Sequence, residues 1–346
     1  MTSKEFAKLI GVSQSTVSRA MNGSDLVPEE KRKFILQKAR ECGFVLNSQA
    51  KSLRTQRTDT IGILFPKHFV GMGTNLMLAH IYDCIQKEMH NYDYDLMTIY
   101  YKTEESDFSS FERLVRKRKV DGFLVLRMEL SEAEIQLIEE YQVPCVFIMN
   151  AGAKIRPNLN YLFSDSVYGG TLAGRYLGSF KDYQKMFISI KEEHEDAERR
   201  LNGYRSGLKE RGCELREEDI LYCNLGITSA YECILANKER FVGKKTAIFA
   251  YSDMIGIGAV NAFRDMGYSI PQDVQVIGMD DILLASTNNP KLSTMHISVE
   301  EMVPRGCELL IDLIEKKDRL VQEWIRPRLI LRETTLSLDK SNTGPV

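Results

Sequence analysis

The sequence predicts an all-α headpiece of helix-turn-helix type followed by an α/β body of two lobes, each built on a parallel sheet. Three observations carry this reading. The first 58 residues hold eleven Lys and Arg against five Asp and Glu, whereas the rest of the chain is net acidic. The same segment compresses three short amphipathic stretches around a glycine turn. Beyond residue 59, apolar runs of strand length alternate with helical periodicity, the pattern of parallel strands covered by helices.

In the headpiece, residues 3–10 read as a helix with Phe6, Ala7 and Ile10 on one face, ended by Gly11 in a left-handed turn. Ser13 is placed to cap a second helix over residues 14–21, with Val17 facing inward. Small Ala7 lets the two helices cross closely, and such a crossing projects the second one outward. Gln14, Ser15 and Arg19 are then expected at base edges in a major groove, and Thr16 and Ser18 at phosphates. A third helix over about 28–42 is expected to close the small core with Phe34, Ile35, Ala39 and Cys42.

The body begins at 61–65 with a short apolar run that reads as a buried strand. Further strands are expected near 94–100, 122–126, 145–149, 186–190, 247–250 and 274–278. Helices are expected near 76–90, 108–118, 131–141, 169–180, 197–212, 229–237 and 253–266. Ligands of open α/β folds lie beyond the carboxyl ends of strands. That rule directs attention to Ser252 and Asp253, to Asp280 and Asp281, and to Arg199 and Arg200.

Composition narrows the function classes. Hydrophobic residues make up 43% and charged residues 27%, ordinary for a globular chain, and no apolar run reaches membrane-spanning length. The polar start at residues 1–8 has no signal core, which predicts a cytoplasmic protein without membrane contact. Seven cysteines occur singly and are expected reduced, mostly as small hydrophobes. Five histidines show no metal-ligand spacing, so neither metal nor cofactor is expected. Dinucleotide, P-loop and nucleophile-elbow motifs are missing, which argues against an enzyme.

The stretch from Gly11 to Asn22, Gly-Val-Ser-x-x-Thr-Val-Ser-Arg-x-x-Asn, closely resembles the headpiece of the lac and galactose repressor family. The resemblance continues through residues 47–54, which are similar to that family's hinge helix. It implies DNA contacts from Asn22, Asn47, Ala50, Leu53 and Arg54, with Leu53 wedged into the minor groove and Ala50 allowing two hinge helices to approach. Leu46 stands where the family usually has proline. The body then resembles a periplasmic sugar-binding fold whose chain crosses three times between lobes, near 158–163, 287–292 and 317–323. The implied organisation is a headpiece over 1–45, a hinge over 46–58, and an effector-binding and dimerisation body over 59–340. Lobe one would take about 59–160 and 290–320, lobe two about 161–289 and 321–338, and 341–346 would form a tail.

The resemblance also assigns the effector grip to Arg200, before Leu201-Asn202-Gly203-Tyr204, and to Asp280 of Ile277-Gly278-Met279-Asp280. Ser252, Asp253 and Asn150 complete the expected effector set, although Met149 and Asn150 stand where relatives often carry an acid. Asp165 resembles the aspartate that opens the second lobe and caps its helix. The implied protein is a homodimeric repressor on pseudo-palindromic double-stranded operator DNA. A small molecule controls it, a sugar or sugar phosphate in preference to a nucleobase or a phosphoprotein partner.

Overall fold

The computed structural model describes residues 1–21, 23–45, 57–66, 75–99, 107–126, 130–149, 158–191, 195–317 and 319–338. Asn22, Leu46, Asn47, Ala50, Leu53, Arg54, Asn150 and the tail expected over 341–346 lie outside the described residues.

Three helices form the headpiece: α1 (Ser3–Leu9), α2 (Gln14–Met21) and α3 (Glu29–Glu41). Thr2 and Glu5 form a reciprocal capping box that starts α1. Gly11 turns the chain at φ +70°. The Ser13 hydroxyl then accepts the Thr16 amide at 3.1 Å, capping α2. Phe6, Ala7, Val17, Ala20, Val27, Ile35, Ala39 and Phe44 make the core. Two expected core residues are corrected: Phe34 and Cys42 are exposed. Phe44, beyond the end of α3, takes their place and stacks on Phe6 with ring centroids 4.1 Å apart. The chain reverses at Gly43, φ +59°, and so returns Phe44 to the core.

Among the described residues the body contains two six-stranded sheets. Along the chain come β1 (Thr60–Leu64), α4 (Leu76–Asn91), β2 (Asp95–Ile99), α5 (Asp107–Arg116), β3 (Gly122–Val125), α6 (Glu132–Tyr141), β4 (Cys145–Met149) and β5 (Asn160–Ser164). The second lobe follows with α7 (Ser166–Gly178), β6 (Gln184–Ile190), α8 (Glu195–Glu210), β7 (Ile220–Cys223) and α9 (Ile227–Ala236). It continues through β8 (Thr246–Ala250), α10 (Asp253–Asp265), β9 (Val274–Asp280), α11 (Leu283–Thr287) and β10 (Ser293–His296). The chain ends on α12 (Val299–Ile314), β11 (Gln322–Ile325) and β12 (Arg328–Ile330).

The first sheet runs β11-β5-β4-β3-β1-β2 and is parallel throughout. The second runs β12-β10-β9-β8-β6-β7, with only β12 antiparallel. These orders correct the expected crossings, each of which lies a few residues later. β5 belongs to the first sheet although 161 onward was assigned to the second lobe; β10 belongs to the second sheet and β11 to the first. The chain therefore crosses between β5 and α7, between β10 and α12, and between β11 and β12. β5 escapes detection because polar Asn160 and Ser164 flank only three apolar residues, and the strand hydrogen-bonds to a segment about 160 residues away.

Candidate functional site

Two surfaces carry chemistry. On the headpiece, α2 buries Val17 and Ala20 and leaves Gln14, Ser15 and Arg19 exposed, while Thr16 and Ser18 are half-buried. Helical spacing sets Ser15 and Arg19 opposite the face that Val17 and Ala20 share, and Gln14 is exposed as the first residue of the helix. The Ser13 hydroxyl bonds those of Ser15 and Thr16 at 2.8 and 2.7 Å, which orders the start of the helix.

The second surface is the cleft between the lobes. A cavity of about 60 Å³ is walled by Asn75, Met77 and Met149 from the first lobe. Arg200, Leu225, Tyr251, Ser252, Met254, Asp280 and Ile282 close it from the second. Arg200, in α8, is almost fully buried. Its guanidinium forms an ion pair with Asp196 Oδ2 at 2.7 Å and donates to the Tyr251 carbonyl, and it lies 4.4 Å from the centre of the Tyr251 ring. Asp196 is held in turn by the Ser166 hydroxyl. Burial works against the charge on Arg200, but Asp196, Tyr251 and Asp280 outweigh it and keep the group cationic.

Asp280 ends β9 at φ +126°, which turns its carboxylate toward Arg200. The two side chains stand 3.7 Å apart, too far for a direct hydrogen bond. Burial drives the Asp280 carboxyl well above the usual range, against the pull of Arg200. The arrangement is a donor fork and an acceptor pair facing the same small space without satisfying each other.

The position of α8 follows from a glycine seam. A Cβ on Gly203 would meet the Val167 carbonyl oxygen at 2.1 Å, and one on Gly170 would meet the Arg200 carbonyl oxygen at 2.2 Å. Gly207 and Gly174 repeat the contact one turn further, at 2.1 Å from Thr171 O and 2.4 Å from Tyr204 O. Backbone thus rests on backbone along α7 and α8, and Arg200 is carried into the cleft.

Of the expected effector residues, the fold brings Arg200, Ser252 and Asp280 together around one cavity. Asp253 stands apart from them. It is fully buried, and its carboxylate accepts the Ile282 amide at 2.9 Å and the Thr294 hydroxyl. It packs so tightly on Gly278 that a Cβ there would meet Asp253 Oδ1 at 2.2 Å. Its role is to hold the wall behind Asp280, and burial raises its carboxyl to about 7. Ser252 caps α10 by accepting the Ile255 amide, and Asp165 caps α7 by accepting the Tyr168 amide at 3.0 Å.

Sequence reasoning missed Asp196, Tyr251 and the apolar wall. Asp196 carried a readable signal, because it lies four residues before Arg200 and therefore on the same helical face. Asp281, noted beside Asp280, turns away and binds His296 Nδ1 at 3.0 Å and the Arg332 guanidinium.

Comparison with known proteins agrees with this geometry. Residues 2–47 match the family described as bacterial regulatory proteins, lacI family, and residues 184–335 match the periplasmic binding protein-like domain. The HTH-type transcriptional repressor PurR of Vibrio vulnificus is 28% identical over 347 residues, covering 98% of this chain and 99% of the relative. The fold is shared with the lac repressor dimer bound to operator and the anti-inducer ONPF, at TM-score 0.82 and 18% identity over 97% of this chain and 99% of that one. It is also shared with the transcriptional regulator CelR–cellobiose complex, at TM-score 0.72 and 24% identity over 96% and 99%.

Proposed function

This chain is a lacI-family DNA-binding repressor with a ligand-binding domain, not an enzyme, and from that premise we propose that a small polyhydroxylated effector, a sugar, sets its affinity for a pseudo-palindromic operator. The observation that carries the effector reading is the pair Arg200 and Asp280, opposed across 3.7 Å at the carboxyl end of β9 and within one cavity. An arginine fork and a carboxylate separated in this way suit adjacent hydroxyls, which donate to the acid and accept from the guanidinium. A sugar fits better than a sugar phosphate at the described residues, because Asp196 already neutralises Arg200 at 2.7 Å. The binding of cellobiose by the structurally similar CelR supports the same ligand class.

The headpiece supports the DNA side of the proposal. Exposed Gln14, Ser15 and Arg19 read base edges, and Thr16 and Ser18 hold the phosphates. Two copies of the chain form a dimer and bring two headpieces to successive half-sites, and the hinge residues Asn47, Ala50, Leu53 and Arg54 pair over the operator centre. The lac repressor structure, a dimer on operator, supports this assembly. Asn22 and Asn150 keep the DNA and effector roles that the resemblance implies.

The test begins with selection of bound duplexes from a random pool at fixed salt, followed by titration of sugars against the recovered site. A near-palindrome is expected, together with a sugar that shifts operator affinity. Arg200→Ala is expected to keep operator binding and lose the shift. A pool without a motif, or an Arg200→Ala protein that responds normally, overturns the reading.

A further inference from the structure

A pair of thiols beside the cleft has no part in effector or DNA binding. Cys223 closes β7 and is buried, while Cys233 lies two turns into α9, half-buried with its sulfur open to solvent. α9 packs on β7, and this places the Cys233 Sγ 3.7 Å from the carbonyl oxygen of Tyr222, the residue before Cys223. The Cys223 Sγ points inward, 3.8 Å from the Ser189 carbonyl. The Cys233 sulfur therefore lies against the backbone of the strand that carries Cys223. We propose that Cys223 and Cys233 form a redox modification site, oxidised by a peroxide to an intrachain disulfide.

The surroundings divide the labour between the two sulfurs. The neighbouring Cys223 thiol and the charges of Lys191 and Arg240 lower the Cys233 thiol to about 7. The neighbouring Cys233 and burial keep the proton on Cys223. A thiolate that reaches solvent is the nucleophile peroxide requires. The Cys233 thiolate attacks one peroxide oxygen, the O–O bond breaks, and hydroxide leaves, giving a sulfenic acid. Cys223 then gives up its proton and attacks the Cys233 sulfur. The S–O bond breaks, the oxygen leaves as water, and the S–S bond forms. Both thiols have been oxidised by two electrons in all, and one peroxide has been reduced to water and hydroxide.

The bridge closes a loop over residues 224–232. That loop contains Leu225, which lines the cleft, and Gly226, which turns at φ +140° into α9. Oxidation therefore pins one wall of the effector cavity at both flanks, and the cleft is where a redox signal would be felt.

The experiment treats the reduced full-length protein with hydrogen peroxide and maps peptides without reduction. A single peptide pair joining Cys223 to Cys233 is expected, released by dithiothreitol. Cys233→Ser should abolish the bridge and leave Cys223 reduced. Cys223→Ala should leave a sulfenic acid on Cys233 that dimedone traps. Alkylation by iodoacetamide at pH 7 reads the unmodified protein directly, and Cys233 should react about tenfold faster than exposed Cys42. Equal alkylation rates, a bridge to another cysteine, or direct conversion of Cys233 to sulfinic acid overturns the proposal.

Discussion

Replacement of Gly203 by alanine tests the claim that backbone contact along α7 and α8 sets the cleft. The new Cβ would sit 2.1 Å from Val167 O and 2.9 Å from Val167 C. A carbon and a carbonyl oxygen need about 3.3 Å, so the helices must part by about 1 Å at that turn. No side chain can swing away, because the obstacle is main chain. Overpacking costs about 1–3 kcal/mol, and a backbone obstacle places this case near 3. Alanine returns about 1 kcal/mol through its better helix propensity. The net loss is about 2 kcal/mol, or about 3 °C in the melting temperature of a body this size. Differential scanning calorimetry of the full chain measures it, with Asn202→Ala on the exposed face as the control. Arg200 lies one turn away, so sugar response should fall as well. A Gly203→Ala protein that melts with the control, or above it, refutes the seam.

Three further outcomes are expected. Gln14→Ala should cost about 1–3 kcal/mol at one operator position and leave the others unchanged; single-base operator variants measure this, and uniform weakening would place Gln14 on phosphate instead. Phe44→Ala removes the ring stacked 4.1 Å from Phe6. A buried aromatic lost in this way costs about 3–5 kcal/mol, as much as so small a core supplies, so operator binding should vanish while the calorimetric transition of the body persists. A body transition displaced along with it would show that the headpiece core is not separate. Asp253 gives a pH signature. Its folded carboxyl stands at about 7, above the unfolded value of about 4. Its stabilising contribution is therefore complete below the lower value and is lost as pH rises through the upper one. Asp253→Asn should flatten stability over that window in urea titrations, and an unchanged slope would exclude Asp253 as its source.

Legibility differed by the range of the forces involved. Local signals were readable: the glycine turn at Gly11, the Ser13 cap, and the apolar runs that became β1, β3, β4, β6, β8 and β9. The Arg200–Asp280 pair was readable through its flanking motifs, although nothing local reveals that α8 and β9 meet. α12 went unseen because Pro304 and Gly306 interrupt its periodicity. Pro304 stands inside the helix, in its second turn, where it has no amide to give the Glu300 carbonyl. A Cβ on Gly306 would meet Ile148 Cδ1 at 2.6 Å, so the end of that side chain would have to shift. β10, β11 and β12 are only three or four residues long and are made by pairing across distant segments. The approach of Cys233 to the strand of Cys223 was hidden for the same reason, since a spacing of ten residues says nothing until α9 folds back on β7.

The placement of the cleft residues decides what an effector must touch in order to regulate. The chain leaving the headpiece is clamped onto the first lobe: Asp121 accepts the Thr58 amide at 2.7 Å, the Thr58 hydroxyl at 2.9 Å and the Asp59 amide at 2.9 Å. A movement of the first lobe therefore carries Thr58 and Asp59 with it. Arg200 and Asp280 both belong to the second lobe. A ligand held by them alone would bind open and closed arrangements equally, and equal affinity shifts no equilibrium however tight it is. Regulation requires contact with Asn75, Met77 or Met149 on the opposite wall. The lobes already touch beside that wall, where Arg199 lies 4.4 Å over the Trp324 ring and His296 faces Glu300, itself 3.0 Å from His80. Arg199 and Arg200 are consecutive, so on the proposed reading one grips the effector while its neighbour contacts the first lobe. An effector that spans the cleft acts on both contacts at once, and only such an effector carries the differential affinity that operator control demands.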